Sequence, residues 1–216
     1  MAFCCCFKPL FTLKITSNLI PKHHINAVEY CHSIFKKKDD VTINSLNNKT
    51  YVTIEGTDSL KNWVDNLSLC RRSDDIHKGF RRYALEVMRK YKLLEVLKSN
   101  DEIVLSGYSS GAACVVIVIY EYLKTIKEPI NNNIELVLFG SPKPGGKIFK
   151  NKFDEILSIH GIQITSYKNG NDLVCHLPPK FMGYYDICDI NNIISNKKSC
   201  IKNHMISCYV ENITKT

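Results

Sequence analysis

A tight turn between two apolar segments is the feature that most constrains how this chain can fold. The turn, Gly-Tyr-Ser-Ser-Gly at residues 107–111, follows the short run Glu-Ile-Val-Leu-Ser and precedes a longer, largely apolar stretch that extends to residue 126. A short apolar run bounded by turn residues is typical of a buried strand, and a longer one is typical of a buried helix. The sequence therefore predicts a strand, a sharp turn and a helix, with glycine at both ends of the turn.

Ser109 lies at the centre of this turn, in the pattern Gly-x-Ser-x-Gly. Between a strand and a helix, this pattern holds a serine hydroxyl at the apex of a strained bend, where side chains two residues before and after it would collide. Gly107 and Gly111 remove those side chains, and the helix N-terminus offers the Ser110 backbone N–H to a developing oxyanion. The pattern predicts a nucleophilic serine. The alternative, a chance match in a surface loop, is disfavoured by the flanking segments.

Predicted strands alternate with predicted helices along the rest of the chain. The strands fall at residues 50–55, 102–106, 134–139 and 163–167, and the helices at residues 27–35, 80–98 and 111–126. This alternation predicts βαβ units, and so an α/β fold with a mostly parallel central sheet flanked by helices. Because no repeat or long linker interrupts the chain, we expect a single compact domain over residues 23–216, preceded by a separate N-terminal segment at residues 1–22.

Charge and composition bear on the partners of the chain. The formal net charge is +8, from 29 Lys and Arg against 21 Asp and Glu, but the basic residues are scattered and their longest run, residues 36–38, is followed at once by two aspartates. This pattern is typical of a solvated surface with a weak attraction to anionic membranes, and it argues against nucleic acid as a partner. The ten cysteines include no Cys-x-x-Cys pair that would indicate zinc.

The N-terminal segment allows two interpretations. It forms no clear signal peptide, and no stretch of the chain approaches the roughly 18 apolar residues of a membrane span. Cys4, Cys5 and Cys6 lie among apolar residues before Lys8, so S-acylation of these cysteines would anchor the chain to a membrane. A partly buried or frayed N-terminus explains the same residues and is favoured. We therefore expect a soluble or peripherally membrane-associated protein, with its compartment and oligomeric state unassigned.

Five segments, in order, resemble the class 3 (fungal-type) lipase family of the α/β-hydrolase superfamily. They are residues 54–63, the His-Lys-Gly-Phe of residues 77–80, and residues 139–145, 171–179 and 203–209. The resemblance implies an α/β-hydrolase fold and a serine esterase or lipase that hydrolyses the carboxylic esters of acylglycerols. A phospholipase A1-like or monoacylglycerol hydrolase, and a catalytically silent lipase-fold binding module, are the alternatives. The chain departs from the family at Glu55, Tyr108 and Asn203, where Arg, His and Asp are usual.

The resemblance also implies the residues that carry the chemistry. In this fold the nucleophile, the acid and the base follow along the chain in the order Ser, Asp, His. The implied triad is Ser109, Asp172 and His204, in which His204 takes the serine proton and Asp172 orients the imidazole. Thr57 and the Ser110 N–H are implied as the oxyanion hole. No metal or organic cofactor is needed for this chemistry.

Other histidines and aspartates compete for the acid and base roles. We expect His176 to be structural or to lie at the pocket wall, His160 to be exposed, and His77 to be a packed, hydrogen-bonded residue. Asp186 and Asp189 also precede the last histidine, but neither directly follows a predicted strand.

The segment after Thr57 resembles the lid of the family, which covers the nucleophile and opens at a lipid surface. Its apolar side chains recur at i, i+3, i+4 and i+7 and place one apolar face on a short helix: Leu60, Trp63, Val64 and Leu67. Residues 71–75 would form its hinge. Periodicity alone favours an ordinary amphipathic helix packed on the core, whereas the resemblance favours a lid and a lipid or ester substrate.

Overall fold

The structure, a computed structural model, describes residues 20–56, 74–98 and 102–215. Three groups of residues singled out in the sequence lie outside these ranges: the candidate acylation sites Cys4, Cys5 and Cys6, the predicted oxyanion residue Thr57, and the predicted lid residues Leu60, Trp63, Val64 and Leu67. Helix α1, Lys22–Lys37, is the first described element. The division of the chain into residues 1–22 and 23–216 stays a prediction.

A six-stranded sheet forms the centre of the described chain, with its strands in the order β1, β2, β3, β4, β6, β8. The strands are β1 Val41–Leu46, β2 Lys49–Ile54, β3 Glu102–Tyr108, β4 Ile134–Phe139, β6 Gln163–Asn169 and β8 Ile190–Ile193. Neighbouring strands from β2 to β8 are parallel, and only β1 pairs antiparallel with its neighbour. Two short strands, β5 Gly145–Gly146 and β7 Tyr184–Tyr185, pair separately. The predicted mostly parallel central sheet is confirmed.

Strand β1 forms a hairpin with β2 that was not predicted from the sequence. It is joined to β2 through Asn47 and Asn48, which both have positive φ, 51° and 59°. Two consecutive residues of this kind are typical of a type I′ turn, whose twist matches that of the strands it connects. Asparagine tolerates positive φ better than most residues, so the Asn-Asn pair is the sequence signal for this hairpin.

Helices cover both faces of the sheet. They are α1 Lys22–Lys37, α2 Lys78–Lys90, α3 Leu93–Leu97, α4 Ser110–Leu123, α5 Lys147–His160, α6 Cys200–His204 and α7 Ile206–Thr214. Side chains alternate along each strand: on β3, Ile103 and Leu105 pack with α2 to α5, whereas Val104 and Tyr108 pack with α1 and α7. Among the described residues, no helix combines the length and apolar character needed to cross a membrane.

The single helix predicted at residues 80–98 is wrong, because the structure contains two helices there. Helix α2 ends at Lys90 and α3 begins at Leu93, since Lys92 has a positive φ of 50° that a continuous helix cannot contain. The resulting turn directs Leu93 and Leu97 into the core, where they are 0% and 1% exposed. Burial of each leucine contributes about 1.5–3 kcal/mol, which offsets the roughly 1–2 kcal/mol cost of a left-handed lysine.

The sheet face under α1 and α7 holds a cluster of buried tyrosines. Tyr167 stacks on Phe139, with ring centroids 5.6 Å apart, and Tyr108 meets Tyr209 edge to face at 6.1 Å. Burial, above all, raises the pKa of Tyr108, Tyr167 and Tyr209 above the usual 10, to about 12 for Tyr167. Neighbouring acidic groups raise these pKa values further, so the three phenols stay protonated in the folded chain to a higher pH than a free tyrosine does.

We expect the protein to unfold in alkali as these tyrosines ionise. Below pH 10 they are neutral in both states; above it the unfolded chain ionises first, so the free energy of unfolding falls as pH rises through the folded pKa values. A titration followed by tyrosinate absorbance and far-ultraviolet circular dichroism measures this. Part of the absorbance change should coincide with the loss of secondary structure. Ionisation of all 11 tyrosines with the secondary structure intact would contradict the expectation.

Candidate active site

Ser109 lies between the end of β3 and the first residue of α4. Its φ is 58° and its ψ is −129°, a backbone conformation that is strained for a residue with a side chain. The Ser109 N–H donates to the Phe139 carbonyl at 2.9 Å, which ties the turn to the neighbouring strand β4. The hydroxyl is therefore held at the carboxyl edge of the parallel strands, where α/β folds bind their ligands.

Glycine is required at both ends of this turn, but for different reasons. A Cβ on Gly107 would lie 2.6 Å from the Gly111 carbonyl oxygen, so residues 107 and 111 do approach each other closely. A Cβ on Gly111 would lie 2.3 Å from the Ile54 carbonyl oxygen. Gly111 is therefore needed because the start of α4 crosses the end of β2. This contact between α4 and β2 was not predicted from the sequence.

A chain of hydrogen bonds joins Ser109 to His204 and Asp172. His204 Nε2 lies 3.0 Å from Ser109 Oγ, and His204 Nδ1 lies 2.8 Å from Asp172 Oδ2. The three residues are 9%, 3% and 0% exposed, respectively. A neutral imidazole with its proton on Nδ1 donates to the carboxylate and accepts the serine proton at Nε2. The arrangement is therefore able to move a proton away from the serine hydroxyl.

Two further donors hold the Asp172 carboxylate. The Tyr209 hydroxyl donates to Oδ2 at 2.6 Å, and the Val174 backbone N–H donates to Oδ1 at 2.9 Å. Tyr209 in turn accepts from the Asn169 backbone N–H at 3.1 Å. A buried carboxylate needs such partners to offset its loss of water, and here they also fix Oδ2 towards the imidazole.

Tyr108, where the family usually has His, contacts His204 in two ways. Its ring stacks on the imidazole, with centroids 5.0 Å apart and planes 27° from parallel. Its hydroxyl donates to the backbone carbonyl of His204. Phe35 of α1 also packs edge to face on the Tyr108 ring at 6.1 Å. Tyr108 thus fixes both the plane of the imidazole and the backbone that carries it.

Asn203, where the family usually has Asp, ties together the loops that carry the base and the acid. Its amide nitrogen donates to the Lys197 carbonyl at 3.0 Å and to the Asn171 side chain. Its amide oxygen accepts from the Ser195 hydroxyl at 2.6 Å. An aspartate has no N–H to make the first two bonds, so asparagine suits this buried position in the present chain.

Gly140, directly after β4, leaves room for the acid and the base. Its φ is 59°, and a Cβ there would lie 3.0 Å from Asp172 Oδ2 and 3.2 Å from His204 Cε1. Gly140 belongs to the segment at residues 139–145 that resembles the lipase family. The role of Gly140 at the site was not predicted from the sequence.

The rival residues lie in other settings. His77 caps α2, where its Nδ1 accepts from two backbone N–H groups at 3.2 and 3.4 Å. His176 is exposed, at the end of a 3-10 turn whose other two residues are buried. Asp186 pairs with two lysines, at 2.9 and 3.5 Å. The expectation that His160 is exposed is wrong: it is 7% exposed, because α5 ends there and the chain turns back at Gly161 towards β6.

Of the two predicted oxyanion donors, Ser110 lies within the described residues. It is the first residue of α4, at the positive end of the helix dipole. Gly56 lies close by, since a Cβ there would be 2.9 Å from Ser110 Oγ. Thr57 and the predicted lid lie outside the described residues.

The sheet order, the strained serine turn and the adjoining histidine and aspartate define an α/β-hydrolase fold. Solved structures with the same fold are fungal lipases. The propeptide complex of the Rhizomucor miehei lipase matches with a TM-score of 0.61 at 21% sequence identity, covering 80% of this chain and 66% of that one. Lipase II from Rhizopus niveus matches with a TM-score of 0.57 at 19% identity, covering 81% of this chain and 78% of that one.

Residues 51–182 match the family Lipase (class 3), and the chain belongs to that family, which confirms the resemblance. Phospholipase A1-IIdelta of Arabidopsis thaliana is 34% identical over 117 residues, 53% of this chain and 27% of that protein. The secreted mono- and diacylglycerol lipase MDL5 of Malassezia globosa is 29% identical over 111 residues, 51% of this chain and 34% of that protein. The chain thus matches about a quarter to a third of the length of these relatives.

We expect Tyr108→Phe to slow the reaction of Ser109 with a serine-directed fluorophosphonate by roughly 3- to 10-fold. The substitution keeps the stacked ring but removes the hydrogen bond to the His204 backbone, and such a bond contributes about 0.5–1.5 kcal/mol. Labelling rates at equal probe concentration measure the effect. Tyr122→Phe is the matched control, because it removes a tyrosine bond to the Leu97 carbonyl outside the site. Equal rates for the two variants would contradict the role of Tyr108.

Proposed function

We propose that this chain is a carboxylic ester hydrolase that cleaves acylglycerol esters through an acyl-enzyme on Ser109. The observation that carries the proposal is the continuous hydrogen-bonded path from Ser109 Oγ through His204 to Asp172. Membership of the class 3 lipase family supports the same chemistry. A serine hydroxyl is a weak nucleophile at neutral pH, and an adjacent base oriented by a third group is what activates it.

In the first half of the proposed reaction, His204 Nε2 takes the proton of Ser109 while Oγ attacks the ester carbonyl carbon. The carbonyl oxygen becomes an oxyanion, and the imidazolium keeps its proton on Nδ1, from which it donates a hydrogen bond to the Asp172 carboxylate. His204 then returns the proton to the leaving alcohol, and the ester bond breaks to leave the acyl group on Ser109. In the second half, water takes the place of the alcohol, and the same proton path releases the fatty acid and restores the hydroxyl.

The oxyanion is stabilised, in this proposal, by the Ser110 backbone N–H and by Thr57. Ser110 suits the role because it is the first residue of α4, where the helix dipole favours negative charge. Loss of one oxyanion donor typically costs about 2.7–4 kcal/mol of transition-state stabilisation.

We expect Ser109→Ala to abolish fluorophosphonate labelling and ester turnover. Thr57→Val should lower kcat by about 10²–10³-fold with little change in KM or melting temperature, because the hydroxyl acts on charge that develops only in the transition state. Turnover of a soluble short-chain ester measures both variants. Labelling of Ser109→Ala at the wild-type rate would show that the nucleophile lies elsewhere. A folded wild type that neither labels nor turns over an ester would favour a silent binding module.

Apolar side chains around the candidate site support a lipid substrate. Leu173 directly follows Asp172, Ile194 directly follows β8, and Ile201 lies on α6; they are 49%, 88% and 71% exposed. Because the carboxyl ends of parallel strands share one edge of the sheet, Leu173 and Ile194 lie at the edge that holds Ser109. Exposed apolar side chains at a site's rim mark contact with an apolar partner, and we propose that these residues contact a lipid surface.

We also propose that the segment after Thr57 acts as a lid over Ser109, with residues 71–75 as its hinge. The apolar face of this segment, Leu60, Trp63, Val64 and Leu67, would cover the serine in water and turn towards the substrate at a lipid surface. Phospholipase A1-type hydrolysis is the second candidate activity, because one relative is named as such a phospholipase and the net charge of +8 favours anionic surfaces.

The lid and the apolar rim predict a jump in the rate on a sparingly soluble ester once its concentration passes the solubility limit. Ile194→Asp with Ile201→Asp should lower the rate on the emulsion by roughly tenfold or more, because burying each isoleucine in lipid contributes about 1.5–3 kcal/mol. The rate on the dissolved ester should be unchanged.

Ile159→Asp is the control for this experiment, because Ile159 is also exposed, at 45%, but lies near the end of α5, away from the carboxyl edge of the strands. A smooth saturation curve through the solubility limit would argue against the lid. An equal loss of activity on the emulsion in the control and the double variant would argue against lipid contact by Ile194 and Ile201. Parallel assays on diacylglycerol and on an anionic phospholipid separate the two candidate activities.

A further inference from the structure

Two adjacent histidines at the start of α1 converge on one carboxylate of the sheet. His23 Nε2 lies 2.8 Å from Glu135 Oε2, and His24 Nε2 lies 2.5 Å from Glu135 Oε1. Consecutive residues of a helix do not normally face each other, yet these two rings lie 4.5 Å apart at 81°. Both imidazoles are therefore turned towards a common point at the Glu135 carboxylate.

Glu135 occupies a position where the surrounding pattern calls for an apolar residue. Val137 and Phe139 follow Glu135 by two and four residues along β4, so all three side chains lie on the face that α1 covers. Val137 and Phe139 are fully buried in the core on that face. A carboxylate in such a place costs free energy unless cationic or hydrogen-bonding partners offset its loss of water. The Glu135 side chain is 19% exposed, and those of His23 and His24 are 27% and 4% exposed. The cluster is thus largely enclosed but open to solvent on the His23 side.

His24 is oriented from its other side by Tyr167. The Tyr167 hydroxyl lies 2.8 Å from His24 Nδ1, and the Tyr167 ring is itself fixed by stacking on Phe139. A second hydrogen bond of this kind is what sets the ring orientation and tautomer of histidines that bind metals. With Nδ1 engaged by Tyr167, His24 presents Nε2, the nitrogen that contacts Glu135, as its candidate ligand atom.

We propose that His23, His24 and Glu135 bind a divalent transition-metal ion of the Zn²⁺ type. Two imidazole nitrogens and one carboxylate oxygen are a donor set that zinc accepts, with water as the fourth ligand, whereas Ca²⁺ and Mg²⁺ prefer oxygen donors. The three ligand atoms lie within 4.8 Å of one another. Bonds of about 2.0–2.2 Å in a tetrahedron place ligand atoms about 3.4 Å apart. On binding, the two histidine–carboxylate contacts, which involve different oxygens of Glu135, would therefore open by up to about 0.9 Å, and the widest separation between ligand atoms would close by up to about 1.4 Å.

Binding the ion exchanges protons for metal, with no change of oxidation state. Each imidazole that carries its proton on Nε2 gives it up to solvent or moves it to Nδ1, because the metal binds the Nε2 lone pair. In His24 the proton then lies on Nδ1 and is donated to the Tyr167 oxygen. Ligation thus keeps the contact with Tyr167 and replaces the two hydrogen bonds to Glu135 by metal bonds.

The site would hold α1 against the middle of the sheet, away from Ser109. Glu135 precedes Phe139 by four residues, about 13 Å of strand, and it is at Phe139 that the Ser109 turn is tied to β4. An ion that binds only the folded chain stabilises it by mass action. The proposed role is therefore structural, and its test does not depend on catalysis.

The test is a titration of the full chain, freed of metal by a chelator, with Zn²⁺ against a chromophoric competitor and with Co²⁺ followed by its visible absorption. We expect one equivalent to bind, and Zn²⁺ at 100 times its Kd to raise the melting temperature by about 5–10 °C. His23→Ala and Glu135→Gln should each weaken binding at least 10-fold. Tyr167→Phe should weaken it by roughly 10- to 100-fold, because it removes only the orienting hydroxyl.

Two controls separate this site from adventitious binding. His32→Ala removes another histidine of the same helix, and Cys4→Ser, Cys5→Ser and Cys6→Ser together remove three thiols that are consecutive in the sequence. Neither change should alter the affinity. Absence of a saturable equivalent in the wild type would overturn the proposal. The proposal would also be overturned if His23→Ala and Glu135→Gln, shown to be folded by circular dichroism, bound Zn²⁺ with the wild-type affinity. Loss of Zn²⁺ binding in the triple cysteine variant would overturn it as well.

Discussion

The close crossing of α4 over the end of β2 is the constraint on which the rest of the structure depends. The Gly111 backbone lies against the Ile54 carbonyl, where no Cβ fits, so α4 is able to begin immediately after Ser109. Helix α4 then buries nearly all of its side chains beneath the sheet. That burial greatly exceeds the 1–3 kcal/mol, in rough terms, that a strained backbone conformation costs. The burial of α4 therefore stabilises the strained turn that holds the Ser109 hydroxyl in place.

The sequence predicts the parts of the fold whose signals are local. The apolar run of β3, the glycines of the turn and the apolar helix that follows are adjacent in the chain, and the order of the family segments implied which distant acid and base would meet the serine. The break at Lys92 was not predictable from periodicity, because it depends on where Leu93 and Leu97 find space in the core. The bond from Tyr108 to the His204 backbone spans 96 residues, and no local pattern reports it.

The two faces of the sheet explain why the core was easier to predict than the surroundings of the site. The face under α2 to α5 is mostly aliphatic, and hydrophobic periodicity locates its buried segments, although not the break at Lys92. The face under α1 and α7 is aromatic and polar, with buried tyrosine hydroxyls that donate to carboxylate and carbonyl groups. Such groups are stable in a core only when each finds its partner. Their positions are therefore set by three-dimensional pairing, which a single sequence does not display.

Helix α1 connects the two polar regions of that face. Its first turn carries His23 and His24 to Glu135, its buried middle packs on the sheet, and near its end Phe35 packs on Tyr108. Tyr108 in turn supports the imidazole and the backbone of His204. Because packed cores resist small displacements, a shift of α1 along the sheet would move the support of the candidate base together with the histidine cluster. The position of α1 is therefore a condition for the geometry at Ser109, although no residue of this helix reaches the serine hydroxyl among the contacts of the described chain.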